Sequence, residues 1–153
     1  MAGLPAADPL TSDTIWGLDE LPARLVVLGG GPIGCELGQA FARLGSMVMI
    51  VEAPPALVPR ERAEVGTFLA ECLRGEGVDV RTGLRAESVT ADGEGSWALR
   101  LDDGTTVGFD RILVAVGRRP NTAESGLDEA GVELDERGHV VTDDRLATTG
   151  DHI

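Results

Sequence analysis

The sequence predicts an α/β fold, a parallel sheet on a β-α-β-α-β core with an antiparallel β-meander as its last crossover. Three observations carry that expectation. Short apolar runs stand at residues 25–28, 47–51, 78–81 and 111–116, as strands buried on both faces do. A helical apolar period separates the first run from the second and the second from the third. Strict alternation over residues 97–109 replaces it before the last.

Each element has its own signal. Residues 1–22 hold Pro5, Pro9 and Pro22 with one apolar knot, Ile15, Trp16 and Leu18, and read as a linker docked at that point; residues 23–153 read as the domain itself. Leu25 to Leu28 is the first strand and stops at three glycines. From Pro32, a residue suited to a first helical position, Ile33, Leu37, Ala40, Phe41 and Leu44 mark one helical face, and Gly45 suits its end. Met47 to Val51 is the second strand, closing on Glu52. After the loop Pro54 to Pro59, the positions Val65, Phe68, Leu69, Cys72 and Leu73 mark a second helix ending near Gly75 to Gly77. Val78 to Arg81 is the third strand. Trp97, Leu99 and Leu101, a turn at Asp103-Gly104, then Val107 and Phe109 give the meander. Arg111 to Val116 is the last buried strand, ending at Gly117. The remainder is rich in Gly and Asp, with a short alternating piece at 139–142.

Composition excludes several classes of function. Length suits one domain, 153 residues, with 13 Lys plus Arg against 26 Asp plus Glu, a net charge of −13. A phosphate backbone or an anionic membrane surface would be repelled, so neither nucleic acid nor membrane is expected as a partner. No apolar run approaches the roughly 18 residues of a membrane span, and no basic region followed by an apolar stretch opens the chain. The expectation is a soluble, cytoplasmic chain. Glycine, 21 of 153 residues, is about twice its ordinary ~7%, so backbone geometry must matter at several places.

One of those places is Gly29-Gly30-Gly31-Pro32-Ile33-Gly34, a G-x-G-x-x-G that follows a strand and opens a helix. Gly29 would permit the tight turn, Gly31 would let backbone approach a pyrophosphate, and Gly34 would let helix and strand pack closely. The helix N-terminus offers free N–H groups and a positive dipole end to the anion. Glu52, 18 residues past Gly34 at the end of the second strand, is placed to accept hydrogen bonds from the two adenosine ribose hydroxyls. Motif, strand, helix and acid in register predict a Rossmann-like unit that binds a dinucleotide.

Other candidates carry less. On position alone Glu36 reads as a carboxylate stabilised by the helix dipole. Cys35 and Cys72 are too far apart for a redox pair or a zinc site, and both read as small buried hydrophobes. His139 and His152 have no companions at ligand spacing and read as surface residues; no metal site is expected. No serine stands in a nucleophile elbow.

The stretch Leu25 to Glu52, containing Gly-Gly-Gly-Pro-Ile-Gly-Cys-Glu-Leu-Gly, resembles the pyridine-nucleotide domain of the FAD-dependent disulfide oxidoreductases, which include dihydrolipoamide dehydrogenase and mercuric reductase. Val114-Ala115-Val116-Gly117-Arg118-Arg119-Pro120-Asn121 is similar to the family's A-T-G-R-x-P-N segment, with Val116 where Thr is commonest. The stretch from Gly131 to Asp144 resembles the segment leading back to the flavin domain. The resemblance implies that Glu36 bonds the nicotinamide end with Ile33 beside it, that Glu52 holds the adenosine ribose, that Leu84 touches adenine, and that Gly117 lines the site. Ala53 and Val116 join that cofactor-binding set, together with Gly29, Gly30, Gly31, Pro32 and Gly34. It implies NAD(H) as the ligand, NADH passing hydride to an FAD bound outside this chain, and a homodimeric parent with FAD and interface domains.

The family's redox cysteine pair and its His-Glu pair have no counterpart among these residues, so no catalytic residue is expected here. Gly150-Asp151 aligns with the turn before the family's flavin-binding Gly-Asp rather than with that motif, and the chain is expected to be an excised or truncated domain. Two alternatives stay open, the FAD-binding half of a flavoprotein and an NAD-binding regulatory domain. The meander and the Arg118-Arg119-Pro120-Asn121 segment weigh against the second.

Overall fold

The structure is a computed structural model and describes residues 1–93, 95–150 and 152–153; Asp151 of the Gly150-Asp151 pair lies outside the described residues. The chain divides into two units, Met1–Val116 and Gly117–Ile153.

The first unit carries the elements in the order β1 (Arg24–Leu28), α1 (Pro32–Leu44), β2 (Met47–Glu52), α2 (Ala63–Gly75), β3 (Asp79–Thr82), β4 (Ala86–Ala91), β5 (Trp97–Leu101), β6 (Thr106–Phe109) and β7 (Arg111–Val114). Four strands form a parallel sheet in the order β3-β2-β1-β7, and β4, β5 and β6 form a separate antiparallel sheet. The α/β class, the parallel core and the meander crossover are therefore as the apolar pattern predicts.

Alternate side chains of β1 point to opposite faces, and both faces are buried. Leu25 and Val27 pack with Ile50, Leu73, Val80 and Leu113 in the core shared with α1 and α2. Val26 and Leu28 pack with Val51, Ile112, Leu99, Leu101 and Phe109 in the core shared with the meander. Each fully buried Leu, Ile or Phe contributes roughly 1.5–3 kcal/mol of transfer free energy, which is why the strands read as unbroken apolar runs. Gly38 lets α1 lie close on the sheet, since a Cβ there would come within 3.0 Å of Ile50 Cδ1. Gly45 ends the helix in the left-handed region at φ +111, its N–H donating to Ala42 O at 3.0 Å.

Three expectations need correction. The last strand ends at Val114 rather than Val116: the Ala115 N–H still donates to Leu28 O at 2.7 Å, but Val116 turns out with 73% of its surface exposed. Cys72 is exposed, because the stripe Val65, Phe68 and Cys72 faces outward while Gly66, Ala70 and Leu73 are buried. Residues 1–22 dock at more than the apolar knot. Leu10 bridges β7, donating to Ile112 O and accepting from Val114 N–H, each at 2.8 Å, and Ala2 bridges Ser88. Ala7, Leu10 and Ile15 are buried, whereas Trp16 is 74% exposed.

The second unit is built from turns. Asp135 accepts from the N–H groups of Arg137 and His139 at 2.8 Å, and Asp143 accepts from Arg145 and Ala147 at 2.8 and 2.9 Å, so short acidic side chains replace regular structure. Leu134 and Val140 form an antiparallel bridge where the sequence alternates. His139 and His152 are exposed, as expected. Among the described residues, no helix is long and apolar enough to cross a membrane.

Candidate functional site

The site is assembled at the carboxyl ends of β1 and β2. Gly29 leaves β1 at φ +106, and a Cβ on it would come within 2.5 Å of Ala115 O and 3.1 Å of Val116 N, so only glycine fits the turn. Its N–H donates to Val51 O at 2.9 Å, tying the turn to the end of β2. Gly30 donates its N–H to Glu52 Oε2, and its carbonyl accepts from Val58 N–H at 2.8 Å and from the Cys35 thiol at 3.4 Å. Gly31 is extended, with φ −72 and ψ 179, and a Cβ there would meet nothing within 4 Å. The turn thus leaves open space beside its third glycine. Gly34 does the opposite: a Cβ would strike Gly29 O and stand 3.2 Å from Val27 Cγ1, so its absence is what lets α1 pack on β1.

The N-terminus of α1 has no side-chain cap, and Pro32 takes the first helical position. Among the described residues the amides of Gly31, Ile33 and Gly34 meet no acceptor. Three unclaimed N–H groups at the positive end of a helix are a receptor for an anion of phosphate type. Glu52 is only 8% exposed; Oε2 is occupied by Gly30 and Oε1 has no partner among the described residues. Beside it Ala53 is half-buried, and Leu84, also half-buried, donates its N–H to Glu52 O at 3.2 Å. Cys35 lies below the turn, 5% exposed, and burial, then the charges of Glu52 and Glu36, push its thiol up to about 11. It stays a protonated donor at neutral pH.

The structure therefore brings Gly29 to Gly34, Glu52, Ala53 and Leu84 together, with the Val116 backbone against Gly29. Ile33 is half-buried in the first turn of α1, and Glu36 is exposed one turn from the helix start. Gly117 opens the second unit at φ +142. Sequence reasoning missed Leu57 and Val58, whose loop meets the glycine turn. Nothing in the residue types of Leu57-Val58 announces that contact.

A glycine turn, an uncapped helix start and a carboxylate at the end of the next strand are the arrangement that dinucleotide-binding α/β folds use. Residues 3–153 match the pyridine nucleotide-disulphide oxidoreductase family, and the chain belongs to it. It is similar to dihydrolipoyl dehydrogenase of Thermus scotoductus, 41% identical over 84% of this chain and 29% of that protein. It is also similar to mercuric reductase of Streptomyces lividans, 40% identical over 99% of this chain and 32% of that protein. Among solved structures, the HOCl-induced flavoprotein disulfide reductase RclA of Escherichia coli superimposes with a TM-score of 0.85 at 35% identity, over 99% of this chain and 34% of that one. The chain spans about a third of the length of these relatives.

Proposed function

We propose that the chain is the NAD(H)-binding domain of a flavoprotein disulfide oxidoreductase, with residues 23–153 as the binding domain and residues 1–22 as the linker into it. The observation that carries this reading is the open space at Gly31, together with the three amides at the start of α1 and the Glu52 Oε1 that have no partner among the described residues.

In this reading Gly31, Ile33 and Gly34 offer their N–H groups to the pyrophosphate, and Glu52 accepts from the adenosine ribose hydroxyls through Oε1. Ala53 and Leu84 flank the adenine, while Gly29, Gly30, Gly34 and Pro32 shape the turn. Ile33, Glu36, Val116 and Gly117 serve the nicotinamide end. Bound NADH supplies a hydride, for an FAD held by the rest of a homodimeric parent that reduces a disulfide, lipoamide, mercuric ion or similar acceptor. The chain's own part is to bind and orient. A cytoplasmic setting goes with this role and suits two free cysteines.

Calorimetry with the purified chain tests the reading. NADH should bind at one site with no FAD retained through gel filtration and no disulfide-reductase turnover. Absence of NADH binding overturns it; stoichiometric FAD would favour the flavin-binding alternative.

A further inference from the structure

Two consecutive peptide groups of the glycine turn are pinned, one from the end of β2 and one from the loop between β2 and α2. The group joining Gly29 to Gly30 is held by its N–H on Glu52 Oε2. The group joining Gly30 to Gly31 is held by its carbonyl, which accepts from Val58 N–H at 2.8 Å and from the Cys35 thiol at 3.4 Å. In a planar trans peptide the C=O and N–H point in opposite directions. Fixing Gly30 O on Val58 therefore turns the Gly31 N–H the other way, and that amide meets no acceptor among the described residues.

Val58 reaches this position at a conformational cost. Its φ of +43 lies in the left-handed region, which a β-branched residue avoids. Such a residue persists only where its surroundings over-determine it. Those surroundings are visible: Leu57 is 1% exposed, a Cβ on Gly30 would strike its Cδ2, and a Cβ on Gly66 of α2 would strike its carbonyl oxygen. Helix α2, the loop and the glycine turn interlock at Leu57 and Val58.

We propose that Leu57-Val58 is a latch on the glycine turn, and that Val58, through its backbone N–H, is a positioning residue that aims the Gly31 amide at the pyrophosphate of a bound dinucleotide. The proposal rests on the dinucleotide reading above. Leu57 holds the loop down, Val58 fixes the peptide plane, and Cys35 adds a second, weaker donor to the same carbonyl.

The test uses the full chain in three forms. In one, Val58 is replaced by its α-hydroxy acid, which turns the amide into an ester and deletes the N–H alone. In another, Val58→Gly keeps the N–H and admits the positive φ without a side chain. Dissociation constants for NADH and for adenosine, which lacks phosphate, are compared with the unaltered chain, and the Gly31 amide signal is followed by NMR without ligand.

The ester should weaken NADH by about tenfold, as loss of one aimed hydrogen bond does, while adenosine changes by less than about twofold. The Gly31 signal should move in the ester and stay in place in Val58→Gly, which should bind NADH within about twofold of the unaltered chain. Equal losses for NADH and adenosine, or an unmoved Gly31 signal, overturn the latch. Should the ester form fail to fold, Leu57→Ala, which loosens the loop with every N–H kept, is held to the same split between NADH and adenosine. An unaltered chain that binds neither ligand overturns the dinucleotide reading instead, and the Gly31 signal of the ester then decides the latch by itself.

Discussion

Gly30 donates its backbone N–H to Glu52 Oε2, so the carboxylate at the end of β2 is bonded to the glycine turn that follows β1. One side chain thereby serves two purposes. It satisfies a buried amide of the turn and leaves its other oxygen without a partner among the described residues, so in the proposed reading the turn and the ribose contact would be set by the same group.

Replacing Gly31 should separate binding from folding. The residue is extended and faces open space, so Gly31→Val needs no unusual backbone and meets no neighbour. Its stability should stay within about 0.5 kcal/mol of the unaltered chain. NADH affinity should fall at least ~100-fold, or ~2.7 kcal/mol, because the new side chain occupies the approach to the pyrophosphate. Urea denaturation and calorimetry on one preparation read both.

Gly34→Ala should behave in the reverse order. The added Cβ strikes Gly29 O and crowds Val27, neither of which can move without parting α1 from β1. A loss of about 1–3 kcal/mol in unfolding free energy is expected from that overpacking. A urea midpoint unchanged from the parent chain would show that the helix shifts freely on the sheet.

NADH should be preferred to NADPH. A 2′-phosphate carries about −1.5 to −2 charges, and two unit charges ~4 Å apart repel by about 4 kcal/mol at an effective dielectric near 20. Solvent reduces this, and at least ~10-fold preference, ~1.4 kcal/mol, is the expected outcome. No cation follows β2 directly, where Ala53-Pro54-Pro55 stand; Arg60 and Arg62 lie exposed further along the loop. Glu52→Ala should narrow the gap chiefly by weakening NADH. It should also destabilise the chain by about 1–3 kcal/mol, since the Gly30 amide loses its acceptor.

The two thiols should be distinguishable by chemistry. Cys72 is exposed and should react at once with a disulfide reagent at pH 8, whereas Cys35, buried and pushed up to about 11, should react only on unfolding. The same shift makes stability pH-dependent. The unfolded chain loses the Cys35 proton near its ordinary value of 9.0 and the folded chain near 11, so the contribution is whole below pH 9 and is lost as pH rises through 11. Cys35→Ala should flatten that fall in alkaline denaturation curves.

The sequence made the β1-α1-β2 unit legible because its glycines, its apolar runs and its acid all depend on local geometry. The meander was legible for the same reason, a period of two in Trp97 to Leu101. Cys72 was misread because Val65, Phe68 and Cys72 have helical spacing yet face outward. Helix α2 buries Gly66, Ala70 and Leu73 instead, and its small residues let Leu57 fit beneath it. Leu10 was not legible at all: one residue bonded to β7 has no period. Val58 was equally silent, since no residue type announces a left-handed valine.

The neighbours of β1 arrive at very different times. β2 begins 19 residues after β1 ends. The opposite edge waits for β7, and the Arg24 N–H that bonds Asp110 Oδ2 at 2.8 Å joins positions 86 residues apart. At a translation rate of about 5–20 residues per second, that is on the order of 4 to 17 s in which a nascent β1 has one unpaired side. Long-range pairing of this kind slows folding and leaves a strand edge open to other chains. The strand that opens the glycine turn is therefore the last in the sheet to be closed on both sides, so the turn matures late, after the meander has been synthesised.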